Sequence, residues 1–147
     1  MIANLPPNPP PPRPAGAAPT PAQEAAVERM VRRFYERGLV DPVLGPIFFQ
    51  HIREWEPHIA IVRDFWLGAI HGTDRYRGNA FAPHMKVDFE PEAFAHWLDC
   101  FERSARECLD AGQATIALRV ARHMATSFRA GLFPFTDASG RPARRPG

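Results

Sequence analysis

A chain of 147 residues has room for one domain, and 45% hydrophobic residues, with 11 Phe and 3 Trp, are enough for one core. The formal charge of +2 is not a nucleic-acid signal, because it belongs to the tails: Arg13, Arg141, Arg144 and Arg145 against Asp137 leave them at +3, while residues 21–133 carry 14 basic and 15 acidic groups. Cys100 and Cys108 lie about 12 Å apart along a helix at about 1.5 Å per residue, beyond the roughly 7 Å a disulfide spans, so both read as small apolar residues in a reducing cytosol. Met1–Leu5 runs straight into prolines without the apolar stretch of a secretory signal, and no apolar run approaches the roughly 18 residues of a membrane helix. The expectation is a cytoplasmic protein with neither nucleic acid nor membrane as partner.

Residues 1–19 hold eight of the 17 prolines and are expected to be a disordered or polyproline II-like tail, either a ligand for a proline-binding domain or a passive extension. Thr20-Pro21-Ala22-Gln23 has the form of a capping box with proline at the first helical position. Val27, Met30, Val31 and Phe34 then recur at helical spacing, and Gly38 is expected to stop that helix. Asp41 to Ile52, with Pro42, Gly45 and Pro46, reads as a turn with short helical pieces. Pro57 is expected to start the next helix, whose broad apolar face is Ile61, Val62, Phe65, Trp66, Ala69 and Ile70, and Gly72 to end it. Residues 72–83 form a loop. Pro91 opens a third helix with Phe94, Trp97, Leu98, Phe101, Ala105, Cys108 and Leu109 on one stripe; Gly112 is expected to break the chain. A last helix carries Ala114, Ala117, Leu118, Ala121, Met124, Ala125 and Phe128 and stops at Gly131. Residues 134–147 read as a second, flexible and basic tail. No segment alternates with period two, so the fold class is all-α: a domain over 20–133 whose four main helices pair first with second and third with fourth. Both tails carry few apolar groups and are expected to be dispensable for folding.

The chemistry concentrates around the loop Gly78-Asn79-Ala80-Phe81-Ala82-Pro83-His84. A histidine at the edge of a helical core, with His58 one helix earlier, suits a flat metal-containing ring: haem iron takes one imidazole on its proximal side and leaves the other open to a gas. His58 lies along the apolar face of its own helix and needs a partner or a ligand there. It reads as a donor over the open iron site, as a sixth ligand, or as an edge histidine with an ordinary partner. Tyr35, at the end of the first helix, and Trp97, on the third, add a phenol and an indole. The three are donors on three helices, and a diatomic ligand carrying partial negative charge is stabilised by such a set. Arg75, Arg77 and Lys86 are basic and could pair with haem propionates, or form a solvated basic loop. His51, His71, His96 and His123 show no constellation and are read as surface or helix-flank residues, His96 being the one that could lie near the proximal side. There is no Cys-x-x-Cys, phosphate-binding glycine loop, His-Glu-x-x-His or Gly-x-Ser-x-Gly.

Phe34-Tyr35, Asp41-Pro42-Val43-Leu44-Gly45-Pro46-Ile47-Phe48, Trp55-Glu56-Pro57-His58 with Phe65-Trp66, Tyr76-Arg77-Gly78-Asn79, Phe81-Ala82-Pro83-His84 and His96-Trp97-Leu98 with Phe101, in this order, resemble the truncated haemoglobins of group III over about residues 22–133. The resemblance implies a two-over-two helical sandwich around haem b. It implies His84 as the proximal ligand; Tyr35, His58 and Trp97 as the distal pocket; Phe48 as the aromatic residue packed on the haem; and Val62 as an apolar distal position. It further implies binding of dioxygen and other diatomic gases. Turnover of nitric oxide or peroxide would require an external electron donor. The competing class is a cofactor-free helical interaction module that recruits partners through its tails, and its core would have to fill its own centre with side chains.

Overall fold

The structure, a computed structural model, describes residues 18–79 and 87–145. Helices α1 (Pro21–Val40), α2 (Leu44–His51), α3 (Trp55–His71), α4 (Ala93–Cys108) and α5 (Ala111–Leu132) precede two short strands, β1 (Phe135–Thr136) and β2 (Pro142–Ala143). α1 packs on α2, α3 and α4, and α5 packs on α3 and α4. The predicted pairs, α1 with α3 and α4 with α5, are both present, and α1–α4 and α3–α5 contacts join them into one all-α sandwich. No described helix is long and apolar enough to cross a membrane. The predicted N-terminal tail lies outside the described residues apart from its last two positions.

The helix stripes read from periodicity face the core with one exception: Ile61, placed on the apolar face of α3, is exposed, because it stands beside the first turn that opens toward α2. Val27, Met30, Val31, Phe34 and Tyr35 of α1 join Phe65, Trp66 and Ile70 of α3, Phe101 and Ala105 of α4, and Leu118, Met124 and Phe128 of α5 in one core. The Thr20–Gln23 capping box closes both ways, at 3.1 and 3.0 Å, and Gly72 ends α3 with φ 75°. α3 begins at Trp55, so Pro57 sits in the first turn, where its missing N–H costs little.

Two glycines behave differently from the prediction. Gly112 does not break the chain: α4 ends at Cys108 and α5 begins at Ala111, capped by a second reciprocal box, Asp110 with Gln113. The buried Gln113 amide also donates to the Gln23 carbonyl (3.3 Å) and meets His71 Nε2 (2.9 Å), joining the ends of three helices. Gly38 does not stop α1, which runs on to Val40. Its role is steric, since a Cβ there would lie 2.3 Å from the Phe48 ring. At Gly45 a Cβ would meet the Leu39 carbonyl oxygen at 2.6 Å, so the α1–α2 corner closes only because both positions lack side chains.

Asp41 organises that corner. Its Oδ1 accepts from the Val43 and Leu44 amides at 2.8 and 2.9 Å, and its carboxylate meets His96 Nδ1 of α4 at 3.0 Å. Burial pushes the Asp41 carboxyl up, but His96 and the two amides outweigh it and hold it below the usual range. Ion pairs brace the outside: Arg32 forks onto Glu56 at 2.9 and 2.8 Å, and Arg33 and Arg37 of α1 converge on Glu107 of α4.

The predicted flexible C-terminal tail forms a hairpin. β1 and β2 pair antiparallel, Phe135 with Ala143 and Thr136 with Pro142. Asp137 builds the turn: its Oδ1 accepts from Ser139 N (2.9 Å), Ser139 Oγ (2.7 Å) and Arg141 N (2.9 Å), and Gly140 takes φ 85°.

Substituting Gly45→Ala should destabilise the fold by about 1–3 kcal/mol through overpacking, more than the roughly 1 kcal/mol a helix gains when Gly becomes Ala. Urea midpoints of the two proteins test this; an unchanged or raised midpoint would show that the corner yields freely.

Candidate functional site

The helices do not fill the space between them. A cavity of about 530 Å³ lies at the centre of the sandwich, far larger than the water-sized gaps native cores leave. Its walls are mostly apolar: Phe34, Phe65, Trp66, Phe94, Phe101 and Phe128 contribute rings from α1, α3, α4 and α5. His51 and Ile61, both exposed, mark its mouth between α2 and α3.

Five of the predicted site residues line this one cavity: Tyr35, Phe48, His58, Val62 and Trp97. Tyr35 and His58 are hydrogen-bonded, Oη to Nε2, at 2.7 Å, with their rings edge to face at 5.1 Å. α1 delivers Tyr35 as the residue following Phe34 on its buried stripe, and α3 delivers His58 from its first turn. The Arg32–Glu56 fork, three residues before Tyr35 and two before His58, ties the same two helices just outside. Trp97 stacks on Phe101 at 5.4 Å, with planes 8° apart, and its indole N–H makes no hydrogen bond among the described residues. Phe48 reaches the cavity over Gly38 and meets Tyr35 edge-on at 5.1 Å.

The other predicted residues are placed differently. Arg75 is engaged by Glu24, Nη1 to Oε1 at 2.7 Å, and Arg77 is exposed; neither lines the cavity. His84 and Lys86 lie outside the described residues. His96 is held by Asp41 and is not a cavity residue. Two polar groups that sequence reasoning left without a role do line the cavity, His51 and Tyr76. His51 had a signal, standing three and four residues after Phe48 and Ile47 on one helix face. Tyr76 lies in a loop with no period and packs edge-on against Phe65 at 5.2 Å.

The cavity thus suits a large, mostly apolar group, with the Tyr35–His58 pair as a polar spot on its wall. No group of three or more His, Cys, Asp or Glu among the described residues is placed to hold a metal ion by itself. A single imidazole on a ring-bound metal requires no such cluster.

No protein-family model matches the chain. In sequence it is 29% identical over 117 residues to a group 3 truncated hemoglobin of Campylobacter jejuni, spanning 76% of this chain and 92% of that protein. In structure it is similar to the crystal structure of the group III truncated hemoglobin from Campylobacter jejuni, with TM-score 0.66 and 28% identity over 71% of this chain and 87% of that one. The resemblance to group III truncated haemoglobins therefore holds in sequence and in fold.

Burial raises the phenol of Tyr35, and less completely that of Tyr76, above the ordinary value. These are the two tyrosines of the chain. A raised phenol leaves stability intact below the unfolded-state value of about 10, and that stability is lost as pH climbs toward the folded one. A spectrophotometric titration should show Tyr76 ionising above the ordinary range and the Tyr35 phenolate appearing only together with unfolding. Both tyrosines titrating at the ordinary value in the folded state would contradict the buried Tyr35.

Proposed function

We propose that this chain, similar in sequence and fold to the group III truncated haemoglobins, is a haem-binding globin that takes up dioxygen and other diatomic gases. The observation that carries the reading is the apolar cavity with the hydrogen-bonded Tyr35–His58 pair on its wall. A cofactor-free module would need side chains in that space, and the helices leave it open.

Haem bound there would supply an iron that accepts one imidazole and leaves its opposite side to a gas. His84 is proposed for the imidazole on the strength of the family pattern. Phe48 and Val62 would pack on the ring. Arg77 and Lys86 are the proposed partners of its carboxylates, Arg75 being held by Glu24.

The polar pair has a directional consequence. A phenol has one proton to give. If Tyr35 donates to His58 Nε2, nothing is left for a ligand in the cavity. If His58 carries its proton on Nε2 and donates to the Tyr35 oxygen, the phenol O–H is free to point inward, polarised by the bond behind it. The Trp97 indole is a second donor in reach of the cavity. Burial keeps Tyr35 protonated, as a donor must be. Such a pair favours a ligand that gathers negative charge, so it discriminates dioxygen from carbon monoxide. Two donors in a dry pocket suit slow release of dioxygen and chemistry on the bound gas, with nitric oxide or peroxide as co-substrate and an external electron donor.

Replacing His84 by Ala should give protein largely free of haem, refilled when free imidazole is supplied; a full haem complement with an unchanged absorption spectrum would remove His84 from its role. The distal pair is tested separately. Tyr35→Phe deletes one hydrogen bond worth about 1–3 kcal/mol in a dry pocket, or roughly 5- to 150-fold in rate. Stopped-flow measurements should show dioxygen release accelerated by that order, with carbon monoxide release nearly unchanged. Equal effects on both gases would return Tyr35 to a packing role.

A further inference from the structure

The C-terminal hairpin touches the rest of the protein at a place that matters for the cavity. Arg144, half-buried, points its guanidinium over two rings, 5.0 Å from the centroid of Phe89 and 5.1 Å from that of Phe133. Its Nη2 donates to the Val87 carbonyl at 2.7 Å. Three positions back along the hairpin, Arg141 pairs with Glu92, just before α4. The two arginines thus grip both ends of the segment 87–92, an irregular stretch with no helix or strand of its own. Val87, at one gripped end, and Phe89, between the two, line the cavity. Phe89 is also packed edge-on against Phe94 and Phe133, at 5.5 and 6.0 Å.

A loop backbone has no ladder to hold it and depends on side chains reaching in from elsewhere. Here the reach comes from beyond α5. An arginine suits the task where a lysine does not: its flat guanidinium can lie on aromatic rings while its edge donates to a carbonyl in the same plane. The turn built on Asp137 and Gly140 returns the chain so that β2 presents Arg144 to Phe89.

We infer that the C-terminal hairpin is a strap holding one wall of the cavity, with Arg144 as a positioning residue that sets Val87 and Phe89 against the bound group. The inference rests on the haem reading for the identity of that group, but not for the strap itself. It reverses the expectation that residues 134–147 are dispensable.

The test uses the full chain with Arg144→Ala and Arg144→Lys. Two readouts are taken. The first is hydrogen exchange of the backbone at residues 87–92, measured by mass spectrometry without haem. The second is the rate at which haem passes from the loaded protein to an excess of apomyoglobin. Arg144→Ala should raise exchange at 87–92 while leaving α1 and α3 as they were. It should speed haem loss by about 3- to 10-fold, the scale of a cation–π and hydrogen-bond contact. Arg144→Lys, which keeps the charge and loses the planar fork, should recover little of either. The dioxygen-to-carbon monoxide discrimination set at Tyr35 should not move. Unchanged exchange at 87–92 overturns the strap. Raised exchange with unchanged haem loss overturns the positioning role. Full recovery by lysine overturns the stacking argument. A wild-type chain that takes up no haem defeats the functional reading, while the exchange experiment still decides the strap.

Discussion

The structure turns on a space between its helices that the side chains of the described residues leave open. Cavities in protein cores cost about 24 cal/mol per Å³, so an empty dry space of 530 Å³ would cost on the order of 13 kcal/mol. That upper bound is as large as the whole stability of a typical domain, about 5–15 kcal/mol. The mouth at His51 and Ile61 makes the space half-open rather than sealed, which lowers that figure. A fold organised around such a space gains most from an apolar occupant. The interactions at its margin then make sense as supports: the Arg32–Glu56 fork and the Tyr35–His58 bond keep α1 and α3 in register, and the Asp41–His96 pair fixes α4 against the α1–α2 corner. None of the surface pairs is worth much singly. They hold the helices at the distances the cavity needs.

That arrangement explains the placement of glycine in α1 and α2. A globular core is normally improved by adding methyl groups to its helices. Gly38 and Gly45 go the other way, because the Phe48 ring and the Leu39 carbonyl occupy the space a Cβ would take. The gain in contact between α2 and α1 is what brings Phe48 onto the cavity wall beside Tyr35.

Much of this was legible in the sequence where a local rule applies. The buried stripes of α1, α3, α4 and α5 follow from helical period, and the Thr20–Gln23 box from its spacing. Tyr35, Phe48, His58, Val62 and Trp97 were found by the order of motifs around them, and the structure gathers them at one cavity. What was not legible has a common physical cause. The same box spacing stands at Asp110–Gln113, but Gly112 beside it reads as a breaker, though a first-turn glycine costs a capped helix little. Gly38 also reads as a stop, since the ring that requires it is ten residues away. Glu24 takes Arg75 across 51 residues of chain, and no local pattern announces that pairing. The C-terminal hairpin was hidden by composition: polar, Pro- and Gly-rich residues suggest a flexible tail, whereas Asp137 and the two arginines bind it through contacts that composition does not carry.

The aromatic packing has an optical consequence. The chain has three tryptophans, and all stand at the site. Trp66 and Trp97 line the cavity on either side of Phe101, stacked on it at 4.5 and 5.4 Å. Trp55 meets Tyr35 at 5.3 Å. With no tryptophan elsewhere to dilute the signal, the intrinsic fluorescence of the protein is the fluorescence of its cavity. A chromophore that enters lies against Trp66 and Trp97 and one ring away from Trp55, behind Tyr35, and quenches all three, so the protein carries its own gauge of occupancy.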